Sequence, residues 1–350
     1  MIIRRDGFTL TELLVVIAII ALLSGASLFA MYGIMDDVKA DRTKSQVERI
    51  HELLNDRWES YHTRVVPLSI PVGSNPQAAA QVRLTAIRDL MRMELPDRVT
   101  DVSDNPVVLN PLGTSLPVPS LLRAYRRRCA AILGVVGGQP DYSRWSARHQ
   151  GAECLYLILT AMNEDGTNAA ADFLSPTEIG DVDQDNMPEI LDGWGNPIEF
   201  LRWAPGFLSF RQSGVGAAEP DPFDPLKVDP RWHDDFPLGS GNSNPNGNEP
   251  YALFPLIFSA GPDGLYDINT EGAITPAMNG IFHYAGTDAT YPLITTPAQT
   301  SSWNWTVRND PYWIGDPTNP GILIGVEMDA NADGRLSYGD NIHNHYVEVK

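Results

Sequence analysis

An uncharged, largely apolar run of 23 residues, Leu13 to Met35, lies near the start of the chain and gives way to a charged amphipathic stretch. At ~1.5 Å per residue it makes about 34 Å of helix, enough for a hydrocarbon core of about 30 Å. Behind it, Val47, Ile50, Leu54, Trp58 and Tyr61 follow spacings of 3, 4, 4 and 3. That pattern places one apolar face on a helix, with Arg and Glu residues on the other. Pro67 ends it. The pattern predicts a single helix over residues 9–64, with Gly25 and Gly33 as its weak points.

Further helical patterns cover residues 76–94, closing before Pro96, residues 119–134, broken by Gly137-Gly138-Gln139-Pro140, and residues 144–162. The last carries Cys154, Leu155, Leu157 and Ile158 on its buried side. The run Arg126-Arg127-Arg128 would point in different directions on a helix, so pairing with acidic residues is expected rather than a binding patch. From residue 170 the chain turns to loops and short strands, with 198–203 and 252–259 read as strands. Residues 213–250 and 284–320 are long insertions, the second carrying Trp303, Trp305 and Trp313. The fold class is α+β: a long N-terminal helix, then a head with helices and a small antiparallel sheet. Its expected parts are residues 1–7, 8–35, 36–66, a helical 67–169 and a loop-rich β part over 170–350.

With 350 residues and 43% hydrophobic content, the chain can bury a core beyond its first helix. Its 44 acidic and 25 basic residues argue against a nucleic-acid surface. Cys129 and Cys154 match no metal spacing. They are a candidate disulfide for a head outside the cytoplasm, with two buried thiols as the alternative.

The residues leading into the apolar run are distinctive. Arg4-Arg5-Asp6-Gly7 precedes Phe8-Thr9-Leu10-Thr11-Glu12, and Glu12 sits in the first turns of an otherwise apolar segment. An ionisable group there marks function, because its charge needs a partner. Cleavage after Gly7 would put a free amine on Phe8, four residues before Glu12. A secretory signal peptide cut near Ser24-Gly25-Ala26 fits badly, since Thr9, Thr11 and Glu12 interrupt the run. A plain signal anchor has no use for Gly7-Phe8 or Glu12. Arg4 and Arg5 before the span and Lys39, Arg42 and Lys44 after it leave orientation undetermined by charge.

This segment resembles the leader of type IV prepilins and type II secretion pseudopilins. The resemblance covers roughly residues 1–60. It implies cleavage between Gly7 and Phe8 and N-methylation of Phe8 by a prepilin peptidase. It also implies that Glu12 pairs with the terminal amine of a neighbouring subunit during assembly. The implied partners are that peptidase, other pseudopilins, an inner-membrane assembly platform and membrane lipid. The implied location is the bacterial inner membrane, single-pass, with the head in the periplasm or on an extracellular filament.

Two acidic loops raise a metal question. Asp181, Asp183, Asp185 and Asp192 occupy positions 1, 3, 5 and 12 of a twelve-residue loop, with Met187 at position 7 offering its carbonyl. Asp329, Asn331, Asp333 and Asp340, with Arg335 at position 7, repeat the scheme. Alternating carboxylates in a tight loop deliver the six to eight oxygens calcium takes, so calcium is the expected cofactor and acidic Asx turns the alternative. The second loop resembles the dockerin type; the first has Asn186 where Gly is usual, a residue that tolerates left-handed backbone.

Asp192-Gly193-Trp194-Gly195-Asn196-Pro197 and Ser259-Ala260-Gly261-Pro262-Asp263-Gly264 resemble, in order, turns in heads of the general secretion pathway protein G family. That resemblance implies calcium near the C-terminal sheet. The head here is larger than in that family. The expected function is a structural subunit of a type II pseudopilus or type IV pilus-like filament. A tip or surface-display subunit binding glycan is one alternative and a membrane-anchored hydrolase another. No Gly-x-Ser-x-Gly, Walker or His-Glu-x-x-His pattern occurs, so no enzyme is expected. His343 and His345 are read as one face of a C-terminal surface strand.

Overall fold

A computed structural model describes residues 9–70, 75–109, 112–162, 174–212, 219–229, 250–270, 311–312, 324–326 and 337–346, with short pieces at 232, 237–238 and 242–243. Helix α1 spans Leu10–Thr63. Thr9 caps it: its hydroxyl accepts the Glu12 backbone N–H, and the Glu12 carboxylate accepts the Thr9 N–H at 2.9 Å. Along the first half Leu10, Leu13, Leu14, Ile17, Ile20 and Leu23 are exposed. In the second half the predicted face, Val47 to Tyr61, is buried to 3% exposure or less. Each such side chain contributes about 1.5–3 kcal/mol on leaving water. Among the described residues no helix is long and apolar enough to cross a membrane. The side chains of 26–33, inside the expected span 8–35, lie outside the described set.

Helix α2, Pro76–Glu94, coincides with its predicted range because Asn75 caps it and Pro76 sets its first turn. A short α3, Val99–Ser103, was not anticipated. Helices α4, Ser120–Leu133, and α5, Gln150–Ala161, pack against each other. α5 starts six residues later than the pattern suggested, because His149 takes a left-handed conformation and Tyr142–Arg144 forms a separate 3-10 turn. Cys129 on α4 and Cys154 on α5 are both free and fully buried, so the candidate disulfide is not formed. Burial pushes the Cys129 thiol up to about 12. Arg126 donates to the carbonyls of Val102, Ser103 and Asp104, and Arg128 to that of Thr160. These bonds satisfy carbonyls near the ends of α3 and α5.

The head sheet is antiparallel with Leu256–Ser259 in the centre, Glu199–Leu201 on one edge and Ile342–His343 on the other. Phe258 lies opposite both Glu199 and His343. The C-terminal strand ends at His343 and a 3-10 turn follows, Asn344–Tyr346. Neither histidine is on the surface: His343 and His345 are buried around Phe207. Within the first insertion, Asp221 and Asp229 each accept from Arg88 of α2 at 2.9 Å, which ties that segment to the core.

The two turns singled out in the sequence meet in space. Asp192 accepts from the N–H groups of Trp194 and Asn196 and from the Ser259 hydroxyl. Asn196 donates to the Gly261 carbonyl at 3.1 Å. Gly193 passes so close to α1 that a Cβ there would lie 2.6 Å from the Lys39 carbonyl. The turn thus fastens the sheet to the long helix.

Candidate functional site

The sequence-predicted sites fall into two places. Gly7 and Phe8 lie outside the described residues, and Glu12 stands on the exposed first turn of α1. The other place is in the head, where an antiparallel pair, Ile179–Gly180 with Glu189–Ile190, holds an acidic loop between its ends.

That loop is shaped by its own carboxylates. Asp181 accepts from the N–H groups of Asp185 and Asn186, both at 3.1 Å. Asp185 accepts from Met187 N–H at 2.7 Å and, across the fold, from Ser146 N–H at 2.6 Å. Glu189 accepts from Val182 N–H. These bonds curl the chain so that Gln184 and Asn186 adopt φ of 66° and 80°. Asn is among the few residues that take this geometry readily.

The curl brings together carboxylates that the sequence alone does not join. Glu153 of α5, Asp183 and Glu189 each offer an oxygen within 4.8 Å of the others, and Asp181, Asp183 and Asp185 do the same. Glu153 is fully buried; one of its oxygens accepts from Trp145 Nε1, and its Oε1 has no hydrogen-bond partner. Both Asp183 carboxylate oxygens are likewise buried without a partner. Burial pushes the Glu153 carboxyl up to about 11, with Asp185 and Asp183 adding to it. Burial, and then Asp183, raises Glu189 to about 7. The donor set is all oxygen, suited to a hard divalent cation.

One expected ligand is engaged elsewhere, and another is expected to act through its backbone only. Asp192 is committed to the turn that follows the loop, so Glu189 stands where a closing acid was expected. Met187 buries its side chain in the head core, leaving only its backbone for a ligand role. Glu153 and Glu189 were missed. The signal for Glu153 was a lone acid among Cys154, Leu155, Leu157 and Ile158 on an apolar helix face.

Of the second loop, Asp329, Asn331, Asp333 and Arg335 lie outside the described residues. Asp340 is described: its carboxyl is raised by burial and by Asp263 and Asp267. It lines a cleft of about 640 Å³ with Asp36, Lys44, Trp194 and His343. Trp303, Trp305 and Trp313 also lie outside the described residues.

A serine–histidine contact exists in the head, with Ser209 Oγ 2.9 Å from His345 Nδ1. Burial holds His345 down at about 3. Its Nε2 faces the Pro255 carbonyl at 3.3 Å. A histidine with so little basicity is a poor proton acceptor for a nucleophile.

Against known families, residues 3–28 match the model of the prokaryotic N-terminal methylation motif. No curated protein and no solved structure matches the chain. The motif is the signal that prepilin peptidase acts on, and it supports a type IV pilin-like family. Members of that family are structural subunits associated with membranes or surface filaments.

Proposed function

We propose that this chain is a pilin-like structural subunit of a type II pseudopilus or pilus-like filament, processed between Gly7 and Phe8. The observation that carries the reading is the continuity of the methylation motif with a 54-residue helix of two characters. Its first half presents apolar side chains to the outside, and its second half is the backbone of the head core. A helix built this way packs with other copies through its free half while the head stays folded around the other. Before assembly the free half, continued through the uncharged run to Met35, resides in the inner membrane. Glu12 supplies the charge that a neighbour's methylated Phe8 amine meets. The resemblance of the two head turns to protein G heads favours a secretory pseudopilus. The weak basicity of His345 supports a structural rather than a hydrolytic head.

Intact-mass analysis of the membrane form tests the reading. It should show loss of Met1 to Gly7 and one added methyl; a mature chain beginning near Ser27 would overturn it. Glu12→Ala should leave the head folded and abolish incorporation into sheared filaments. Normal incorporation would remove the charge-pairing step.

A further inference from the structure

We propose that Glu153, Asp183 and Glu189, with Asp181 and Asp185 on the open side, bind one calcium ion that locks the 181–189 loop onto helix α5. The inference does not depend on the subunit reading. It rests first on three oxygens that the fold leaves stranded. Both oxygens of Asp183 and Oε1 of Glu153 are buried and have no hydrogen-bond partner. A buried polar atom without a partner is uncommon and calls for a ligand, a water or an ion. Here three of them converge, and all are acceptors, so a cation answers them where a protein donor does not.

The second support is the surrounding charge. Five carboxylates meet in overlapping groups that share Asp183, and among the described residues no lysine or arginine pairs with any of them. The loop's backbone N–H groups already serve Asp181, Asp185 and Glu189, which fixes those side chains before an ion arrives. Each of these oxygens retains a lone pair for a metal.

Calcium is chosen over other ions on donor chemistry. No cysteine or histidine belongs to either group, which disfavours zinc and copper. The carboxylates come from a helix, a strand end and an irregular loop, a flexible set that suits variable coordination. Magnesium demands a tight octahedron and keeps its waters. The arrangement joins two parts of the chain, since Glu153 comes from α5 and the other four acids come from the hairpin.

The test uses the full chain in detergent, stripped with chelator and titrated with calcium chloride by calorimetry. One ion per chain should bind, and magnesium chloride should bind at least about tenfold more weakly. Asp183→Asn and Glu153→Gln should each weaken calcium at least about tenfold. Gln at 153 keeps an acceptor for Trp145 Nε1, so that variant retains the local packing. Asp192→Asn should leave the calcium Kd within about twofold, because Asp192 serves the neighbouring turn. Terbium placed in the site gives a readout that needs no acidic variant. Trp145 touches Glu153, so tryptophan-sensitised terbium emission should appear and should fall in Trp145→Phe. No calcium heat in the wild-type chain would overturn the proposal. So would binding unchanged by Asp183→Asn and Glu153→Gln but lost in Asp333→Asn, which would move the ion to the other loop.

Discussion

Two groups of buried carboxylates in the head are balanced in opposite ways. Asp89, Asp97 and Asp101 are at most 5% exposed, as deeply placed as Glu153 and Glu189. Arginines share their space. Arg92 donates to Asp89 at 2.8 Å, Arg202 to Asp101 at 2.8 Å, and Arg98 to Asp97 at 3.1 Å. Backbone N–H groups of Val107 and Arg202 take up the other oxygens of Asp89 and Asp97, and the Asp97 N–H shares Asp101 Oδ2 with Arg202. Burial alone would raise Asp97, but Arg202 and Arg98 outweigh it and hold the carboxyl at about 2, while burial and Asp97 leave its neighbour Asp101 raised to about 6. Around Glu153 the bond from Trp145 is outweighed by burial and by Asp185 and Asp183, and the carboxyl rises to about 11. Depth is therefore not what separates the two groups. One has arginines in contact with its carboxylates, and the other has no lysine or arginine paired with it among the described residues.

The largest effect should come from breaking the self-sufficient group. Arg92 is fully buried between α2 and the loop after α3, and it also donates to the Asn105 carbonyl. Arg92→Met fills similar volume while stranding Asp89. Stranding one member of a buried pair costs about 3–5 kcal/mol. Urea unfolding should show that loss in calcium and in chelator alike. A loss under about 1 kcal/mol would mean that solvent already reaches the group and that the contrast is false.

The same contrast explains what the sequence could reveal. Local signals sufficed where neighbours in sequence do the work. Asn75-Pro76 starts α2, and the 3-4-4-3 spacing marks the buried face of α1. The acidic loop was visible for the same reason, since Asp181, Asp183 and Asp185 recur at every second position. Asp192 matches the spacing of a closing acid, but it accepts from Trp194, Asn196 and Ser259, whose placement only the fold reveals. Glu153 could not be assigned to the loop, because only the packing of α5 on the hairpin brings it there. Five-residue α3 has too few turns to show a period, and the left-handed His149 carries no glycine to announce the start of α5.

A smaller effect should separate the second group from the first by its dependence on the ion. An ion binding only the folded form stabilises by about 2.7 kcal/mol at a hundredfold excess over Kd. The wild-type chain should gain about that much between chelator and calcium. Glu153→Gln keeps the Trp145 bond, so it should lose most of the gain in calcium while remaining folded in chelator. Unfolding curves in the two media check both halves. A gain kept by Glu153→Gln would take α5 out of the ion's reach.

The smallest effect should come from a carboxylate whose partners are in water. Glu178 is 8% exposed at its side chain, but Arg42 and Arg49 of α1, which reach it at 3.2 and 3.8 Å, are 46% and 39% exposed. Water screens such cations, and holding a long side chain in place has an entropic cost, so an exposed pair contributes about 0.2–1 kcal/mol. Glu178 also accepts the Ser175 N–H in its own capping box, so removing Arg42 does not strand it. Arg42→Gln should therefore shift the urea midpoint by less than about 1 kcal/mol, equally with and without calcium. Raised salt should shrink the shift further, whereas the Arg92→Met loss should be nearly salt-independent. A loss for Arg42→Gln as large as for Arg92→Met would show that what matters is the number of arginines per carboxylate. Burial of both partners would then no longer explain why one group is self-sufficient and the other is not.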